Sequence, residues 1–400
     1  MSPEALRSIP ELSDSIATII ATPSAIPTPS APSALRVDAG RRVTDVLARA
    51  GRKRVESRAV SDELRQTAAA LVAEGKGILA ADESNGTMDK RLKAAGVEPA
   101  MEMRRALREL LFTTEGTAEH ISGVILFDET FGQSTTDGTP FPVLLRDQGI
   151  VPGIKVDTGA KPLAGADDEK VTEGLDGLRE RLAEYYDGGA RFAKWRGVIG
   201  VDDQHPSRYC VHSNAHALAR YAALCQEARI VPIVEPEVLM DGRHTIARSE
   251  EVTAAVLATV FDELREQRVL LEGMLLKPNM VLAGYECPEQ PGDDEVAERT
   301  LRCLRRHVPA AVPGIVFLSG GQSDKDATTR LNLMNQRGPQ PWQISFSYGR
   351  GLQAAALTTW RGDRDNVSAA QAQYRHRARC TGAARRGEYS EAIERELVAD

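Results

Sequence analysis

The chain has 400 residues, of which 42% are hydrophobic and 27% are charged, and its formal net charge is −7 at pH 7. This composition is typical of a globular enzyme, and the negative charge argues against a nucleic-acid partner, so an anionic ligand must meet a local basic cluster. No apolar run approaches the roughly 18 residues of a membrane span, which argues against a membrane partner. The 5 cysteines are scattered without a C-x-x-C pair, which fits a reduced, cytoplasmic setting.

Residues 1–60 are predicted to form a flexible extension. Four prolines, Pro23, Pro27, Pro29 and Pro32, stand among serines and alanines, which is a linker composition that cannot bury a core. Basic residues between 41 and 54 could belong to an organelle transit peptide, but acidic residues near the start argue against one, so we expect a cytoplasmic location. The remaining chain is predicted to divide into a folded domain at 61–387 and a C-terminal tail at 388–400.

Short apolar runs and helical stretches alternate from Ser61 onward. Ser61 carries a helix-start signal, and the segments 101–112, 175–187 and 250–268 have the apolar spacing of amphipathic helices. Strands are predicted at 77–82, 121–127, 151–157, 190–197, 230–236, 271–277, 314–320 and 342–349. Eight such β/α units predict the α/β class and a single (β/α)8 TIM barrel. A doubly wound sheet is the alternative, but no glycine-rich dinucleotide turn follows the first strand.

A lysine stands at the buried end of the sixth predicted strand. In the run LEGMLLKPNM, apolar residues precede Lys277, and Pro278 ends the strand because proline cannot donate to a ladder. Burial disfavours the charged form of an amine, so this lysine can offer a neutral nitrogen to a carbonyl. Lys277 is therefore a candidate Schiff-base nucleophile. A strand-end lysine that extends to water is the simpler interpretation.

Other ionisable side chains fall at the carboxyl ends of predicted strands, where barrel enzymes carry their sites. Alternation along each strand predicts that Lys194, Glu235 and Lys277 all point into the barrel. Charges are rarely buried unless paired, so this cluster indicates a functional site. Glu235 and Asp82 are candidates for the proton transfers that imine formation and carbon–carbon cleavage require. Their simpler roles are an ion pair for Glu235 and a helix cap for Asp82.

Two loops have the composition of phosphate sites. Residues 318–323, LSGGQS, follow the seventh strand, and residues 347–350, SYGR, follow the eighth strand and add the guanidinium of Arg350. Loops after these two strands usually carry the phosphate site of this fold. Another group, near the first and third strands, could hold a second phosphate: Ser84, Thr87, Arg91 and Lys155. Two phosphate sites beside a central amine indicate a doubly phosphorylated sugar.

These motifs together resemble the class I fructose-bisphosphate aldolase family over about residues 60–387. The matching runs, in chain order, are GKGILAADES, GVILF, GIKVD, FAKWR, IVPIVEPE, LLKPNM, FLSGGQS and FSYGR. The resemblance implies a carbon–carbon lyase of glycolysis and gluconeogenesis that reversibly cleaves fructose 1,6-bisphosphate to dihydroxyacetone phosphate and glyceraldehyde 3-phosphate. It implies that no metal or other cofactor is needed, and that the chain forms a homo-oligomer, specifically a homotetramer.

The resemblance also implies roles for individual residues. Lys277 matches the Schiff-base lysine, Glu235 the acid/base glutamate, Lys194 the charge-stabilising lysine and Asp82 the aspartate that positions substrate hydroxyls. The substrate-binding matches are Arg196 and Glu237 in the centre, Ser84, Thr87, Arg91 and Lys155 toward one phosphate, and Ser319, Gly320, Gly349 and Arg350 toward the other.

The end of the chain departs from the family pattern. Many relatives end in a tyrosine that assists proton exchange on the enamine, whereas this sequence ends in Asp400 and its nearest tyrosine is Tyr389. We therefore expect slower enamine protonation than in tyrosine-ended relatives. The resemblance leaves open the preference among fructose 1,6-bisphosphate, fructose 1-phosphate and sedoheptulose 1,7-bisphosphate.

Two rival interpretations start from the residues themselves. A metal-dependent aldolase needs histidine ligands, and His212 and His216 stand four residues apart, but without the glutamate of an H-E-x-x-H motif. A solvated helix face explains this pair better. A sugar-phosphate-binding protein without catalysis is the second rival. It would not need a nucleophile, so the set of Lys277, Lys194 and Glu235 favours an enzyme.

Overall fold

A computed structural model of the chain describes residues 58–396. The predicted extension therefore lies outside the described residues up to residue 57, and the predicted tail lies outside them from residue 397. The first described helix, over residues 58–71, begins shortly before the start signal at Ser61. Among residues 58–396, none of the helices combines the length and the apolar character that crossing a bilayer requires.

Eight parallel strands close into a barrel with helices around it, so the prediction of a single TIM barrel is confirmed. The strands, in chain order, are β1 Gly77–Ala81, β2 Ile121–Leu126, β3 Val151–Lys155, β4 Gly159–Pro162, β5 Lys170–Glu173, β6 Phe192–Ile199, β7 Val231–Val238, β8 Leu275–Leu276, β9 Gly314–Phe317 and β10 Gln343–Tyr348. Strands β4 and β5 form a separate antiparallel hairpin, and the other strands pair around the barrel in chain order.

The helices follow the strands in the alternation that the sequence predicts. They are α1 58–71, α2 Asn85–Ala94, α3 Met101–Phe112, α4 Asp128–Phe131, α5 Phe141–Asp147, α6 Leu178–Asp187, α7 Arg208–Glu227, α8 Ile246–Glu266, α9 Asp293–His307, α10 Asp324–Gln336, α11 Arg350–Trp360, α12 Val367–Arg385 and α13 Glu391–Arg395. Helix α8 begins four residues before the predicted start because the side chain of Thr245 accepts a hydrogen bond from the backbone N–H of Arg248.

An apolar cluster fills the barrel interior toward the amino-terminal ends of the strands. Phe192, Val231, Ile233 and Leu275 belong to it and are fully buried, together with residues of helix α1. Helix α1 closes the amino-terminal end of the barrel, where Leu71 accepts a hydrogen bond from the Ser122 hydroxyl through its backbone oxygen. Alternate residues of a strand share a face. Two positions after Phe192, Ile233 and Leu275 come Lys194, Glu235 and Lys277, so these charged side chains also face the barrel interior. The predicted direction of these strand faces is therefore confirmed.

The prediction for the sixth strand of the barrel is wrong over its first half. Residues Leu271–Gly273 form a turn of 3-10 helix, and only Leu275–Leu276 is strand. The side chain of Gln226 explains the difference, because it accepts from the N–H of Leu270 at 2.8 Å and donates to the carbonyls of Leu270 and Gly273 at 2.8 and 3.2 Å. It thus fixes Leu270, just before the predicted strand, and takes the Gly273 carbonyl, a group that a strand ladder would use. The hairpin of β4 and β5 was also not predicted.

We expect Gly153→Ala to destabilise the barrel. A Cβ atom at this position in β3 would lie 2.3 Å from Cζ of Phe192, a ring that is fully buried in the inner cluster. Overpacking of this kind costs about 1–3 kcal/mol of unfolding free energy, measured by urea denaturation. Gly86→Ala in α2 is the matched control, since nothing lies within 4 Å of the new atom. Equal stabilities of the two variants would contradict the proposed packing.

Candidate active site

A cavity of about 800 Å³ lies at the carboxyl ends of the barrel strands. Every residue predicted for the site lines it: Asp82, Ser84, Thr87, Arg91, Lys155, Lys194, Arg196, Glu235, Glu237, Lys277, Ser319, Gly320, Gly349 and Arg350. These residues come from the ends of strands throughout the barrel and from the loops that follow them. The fold therefore brings together side chains that are up to 268 positions apart in the chain.

Four charged side chains form a continuous chain of ion pairs at the centre of this cavity. The Nζ atom of Lys194 lies 2.6 Å from Oδ2 of Asp82 and 3.3 Å from Oε2 of Glu235. The other carboxylate oxygen of Glu235 lies 3.3 Å from Nζ of Lys277. All four side chains are buried, with Asp82 the most exposed at 11%. Two cations and two anions thus balance each other in a site largely closed to water.

Strand register places Glu235 and Lys277 at one depth in the barrel and Lys194 two positions deeper. Lys194 of β6 pairs with Ile233 of β7, and Ile233 pairs with Leu275 of β8. Residues two positions apart on a strand share a face. Glu235, two positions after Ile233, and Lys277, two positions after Leu275, therefore lie at one level in the barrel. The backbone N–H of Lys277 still donates to the carbonyl of Val234 at 2.8 Å, which fixes the lysine at the end of its strand.

The ion pair of Asp82 and Lys194 stays charged over a wide pH range. Burial by itself raises the pKa of Asp82, but the positive charges of Lys194 and Lys277 outweigh it and hold the pKa well below its usual range. Burial likewise lowers the pKa of Lys194, but the charges of Asp82 and Glu235 outweigh it and hold the pKa above its usual range. The residue that precedes helix α2 is Ser84, so Asp82 binds Lys194 and is not the helix cap.

Two more ion pairs flank the central chain. Arg196 pairs with Glu237, whose carboxylate is buried. Lys155 Nζ lies 2.7 Å from Oδ1 of Asp157, and the two oxygens of Asp157 also accept from the N–H of Gly159 at 3.1 Å and the N–H of Arg196 at 3.3 Å. Asp157 was not predicted as a site residue, although it closes the motif GIKVD. Its carboxylate holds both Lys155 and the backbone of the next barrel strand.

The predicted phosphate loops have backbone geometry that requires glycine. Gly320 and Gly321 have φ of 55° and 86°, in the left-handed region that other residues avoid. A Cβ atom on Gly321 would lie 3.1 Å from Nη2 of Arg350, so the loops after β9 and β10 meet there. Tyr285, another residue that was not predicted, holds the first loop by donating from its hydroxyl to the Gly320 carbonyl at 2.7 Å.

On the opposite side of the cavity, Ser84 and Thr87 lie at the start of helix α2. Their hydroxyl oxygens are 3.1 Å apart, so the two side chains can serve one ligand together. Arg91, one turn further along this helix, pairs with the buried carboxylate of Glu83. The sequence reasoning also missed Glu83, because an acidic residue next to Asp82 and Ser84 carries no separate signal.

His212, His216 and Tyr389, which the sequence reasoning also considered, do not line this cavity. The rings of His212 and His216 face Glu263 of the neighbouring helix, with Nδ1 to carboxylate distances of 3.4 and 3.0 Å, and both side chains are 52% exposed. Tyr389 donates from its hydroxyl to Oε2 of Glu394 at 2.7 Å, and its backbone N–H binds the side chain of Asn332. It is therefore held against helix α10.

The fold and the cavity define a class of protein. A TIM barrel that carries buried lysines and carboxylates at its strand ends, with glycine-containing loops after the last two strands, is a barrel enzyme with lysine-based carbonyl chemistry within its reach. The family model described as "Fructose-bisphosphate aldolase class-I" matches residues 63–399. The chain belongs to the class I fructose-bisphosphate aldolase family.

Relatives from distant organisms are similar over most of the chain. A probable fructose-bisphosphate aldolase class 1 of Xylella fastidiosa is 57% identical over 329 residues, which are 82% of this chain and 98% of the relative. Fructose-bisphosphate aldolase 1 of Toxoplasma gondii is 52% identical over 83% of this chain and 92% of the relative. The solved fructose-bisphosphate aldolase of Plasmodium falciparum, in complex with TRAP and a small-molecule inhibitor, has a TM-score of 0.82 and 51% identity, over 83% of this chain and 96% of that structure.

The activity expected from the sequence is therefore confirmed. The chain is a carbon–carbon lyase of glycolysis and gluconeogenesis that reversibly cleaves fructose 1,6-bisphosphate to dihydroxyacetone phosphate and glyceraldehyde 3-phosphate.

We expect Asp82→Asn to lower stability in a pH-dependent way. At pH 7 the substitution leaves Lys194 without its nearest anion, and breaking a buried pair costs about 3–5 kcal/mol of unfolding free energy. Because the folded pKa of Asp82 lies below its ordinary value of 3.8, this stabilisation is present above pH 3.8 and is lost as pH falls further. The difference from the wild type should shrink only below that pH, in urea titrations from pH 7 to pH 2.5.

Asp147→Asn is the matched control for this measurement. Asp147 pairs with Arg146 on the surface, where both side chains are more than 60% exposed, so its loss changes stability by no more than about 0.5 kcal/mol. A difference between Asp82→Asn and the wild type that is already gone at pH 5 would contradict the charge assignment. A difference that stays constant down to pH 2.5 would do the same.

Proposed function

We propose that Lys277 is the nucleophile that captures the ketose as an imine. The observation that carries this proposal is the unequal pairing of the two buried amines. Lys194 has Asp82 at 2.6 Å and also contacts Glu235, whereas Lys277 contacts Glu235 alone among residues 58–396, at 3.3 Å. Lys277 is thus the more weakly paired amine and can pass its proton to Glu235 to become a nucleophile, while Lys194 and Asp82 remain a balanced pair.

The proposed reaction moves each proton through a residue of the central chain. The neutral nitrogen of Lys277 attacks the ketose carbonyl, and protonation of the resulting hydroxyl by Glu235 expels water and leaves an iminium ion. A carboxylate then takes the proton of the C4 hydroxyl, the C3–C4 bond breaks, and its electrons move to the iminium nitrogen to give an enamine and an aldehyde. Protonation of the enamine and hydrolysis of the imine release the second product and restore the lysine.

Glu235 is the proposed acid and base for these steps, and Asp82 is a second candidate. The contacts of Glu235 with both amines support this role. Its carboxylate lies 3.3 Å from each nitrogen, so it can exchange a proton with either amine or with a substrate atom next to it. Lys194, which stays positive, stabilises negative charge that develops on the substrate oxygens. Asp82 is proposed to orient substrate hydroxyls through its remaining oxygen.

We further propose that the ends of the cavity bind the two phosphates. Ser84, Thr87, Arg91 and Lys155 serve one, and Ser319, Gly320, Gly349 and Arg350 serve the other, with Arg196 and Glu237 orienting the chain of the sugar. The contact between Arg350 and the glycine loop supports the second site, because it adds a guanidinium to free backbone N–H groups. Comparing kcat/KM for fructose 1,6-bisphosphate, fructose 1-phosphate and sedoheptulose 1,7-bisphosphate tests this assignment.

Assembly and location are also proposals. The resemblance supports a homo-oligomer, specifically a homotetramer, and light scattering at several protein concentrations tests it. A cytoplasmic location is supported by the cysteines, since Cys210, Cys225, Cys287, Cys303 and Cys380 are all free and buried, as expected in a reducing compartment.

We expect Lys277 to be trapped covalently. Borohydride added with dihydroxyacetone phosphate should reduce the imine and attach the ligand to Lys277, as read by peptide mass spectrometry. Lys277→Met should form no adduct and lose more than about 1,000-fold in kcat, since the covalent route is removed. Lys93→Met, at an exposed position of helix α2, should still form the adduct and keep the kcat of the wild type. Absence of an adduct on the folded wild-type protein would favour the rival view of a binding protein without catalysis.

Chelation separates the lysine mechanism from a metal-dependent one. We expect activity to be unchanged after exhaustive treatment with EDTA and dialysis, because the carbonyl is activated as an iminium ion. The measurement is the rate of fructose 1,6-bisphosphate cleavage before and after treatment, with added Zn²⁺ as the reconstitution control. Loss of activity that Zn²⁺ restores would overturn the lysine mechanism.

A further inference from the structure

A largely buried cluster at the wall of the cavity contains a carboxylate that two arginines share. It consists of Glu83, Arg91, Arg108 and Gln353, which we call the Glu83 cluster. The Glu83 side chain is only 7% exposed. Its Oε2 accepts from Nη2 of Arg108 at 2.7 Å, and its Oε1 accepts from Arg91 and from Nε2 of Gln353, the latter at 2.9 Å.

The two arginines are not equivalent. The side chain of Arg108 is 3% exposed and has Glu83 as its carboxylate partner, so it cannot leave without burying an unpaired charge. Arg91 is 25% exposed and lines the cavity. Arg91 is therefore the partner that can exchange Glu83 for another anion, while Arg108 remains in place.

Glu83 stays fully paired when Arg91 leaves. Its Oε2 keeps Arg108, and its Oε1 keeps the amide of Gln353, which is itself fixed by donating to the Ala80 carbonyl at 2.7 Å. A Cβ atom on Gly349 would lie 3.4 Å from the same Oε1 atom. The carboxylate thus stands between helix α2 and the loop after β10, the two sides of the cavity that carry the proposed phosphate sites.

We propose that Glu83 and Arg108 are positioning residues for Arg91. Glu83 holds Arg91 at the cavity edge when no ligand is bound and releases it to a substrate phosphate, and Arg108 weakens that hold by sharing the carboxylate. The proposal rests on the proposed function only in that the ligand carries phosphates. It predicts that Arg108, which does not touch the cavity, controls ligand affinity through Arg91.

The test measures binding of a hexitol 1,6-bisphosphate by calorimetry at fixed ionic strength. This probe has both phosphates but no carbonyl, so it forms no imine, and its binding is independent of the role of Lys277. Arg108→Met leaves Arg91 as the one cation that pairs with Glu83 among residues 58–396, beside the neutral amide of Gln353. This substitution should weaken binding about tenfold, the size of one charge-assisted hydrogen bond. Glu83→Gln combined with Arg108→Met should restore wild-type affinity, because a neutral amide does not retain Arg91.

A double-mutant cycle shows whether Arg108 acts through Arg91. In the Arg91→Met background, Arg108→Met should cause no further loss of affinity. Arg105→Met, on the outer face of helix α3 where the arginine pairs with Glu102 and Glu109, is the matched control and should bind as the wild type does. The proposal is overturned if Arg108→Met binds like the wild type. It is equally overturned if the combined Glu83→Gln and Arg108→Met variant is as weak as Arg108→Met alone.

Discussion

The central constraint on this molecule is the neutrality of four charges buried at the mouth of the barrel. Removing one charged group from water costs several kcal/mol of free energy. The attraction of an oppositely charged partner offsets that cost only when the two groups are close and well oriented. Here Lys194 has an anion on either side, and Glu235 joins it to Lys277. Loss of any one of these residues would leave an unpaired charge in the core. The strands that carry them must therefore keep their register to within one residue, since a slip by one would turn each side chain outward.

The lower barrel maintains this register without contributing to the chemistry. Phe192 lies over Gly153 in the interior, and helix α1 closes the base, so the strands are fixed by dense packing below the charges. Many of the groups proposed for phosphate come instead from loops after the strands, such as the one that contains Gly320 and Gly321. Rigid strands thus position the reacting groups to a fraction of an ångström, while loops supply the adaptable contacts to the ends of the substrate.

Much of this arrangement could be predicted from the sequence because local signals agreed with the fold. Short apolar runs gave the strands, and the charged residues that end them, such as Glu235 and Lys277, could be placed on the inner face by alternation alone. The first half of the strand before Lys277 could not be predicted, because the side chain of Gln226, 44 or more residues away, fixes its start and takes one of its backbone carbonyls. Asp157 and Glu83 were missed because each also binds a group of another element, the N–H of Arg196 for Asp157 and the guanidinium of Arg108 for Glu83.

The carboxylates around the cavity support the proposal that Lys277 is the nucleophile. Three cations each have a carboxylate at close range: Lys155 with Asp157, Lys194 with Asp82 and Arg196 with Glu237. Close pairing of this kind suits a cation that binds phosphate or stabilises an oxyanion. Among residues 58–396, Lys277 pairs with the shared carboxylate of Glu235 alone, at 3.3 Å. If Lys277 passes its proton to Glu235, the amine and the carboxyl group become neutral together and Asp82 still balances Lys194, so the neutral amine that an attack on a carbonyl requires leaves no buried charge uncompensated.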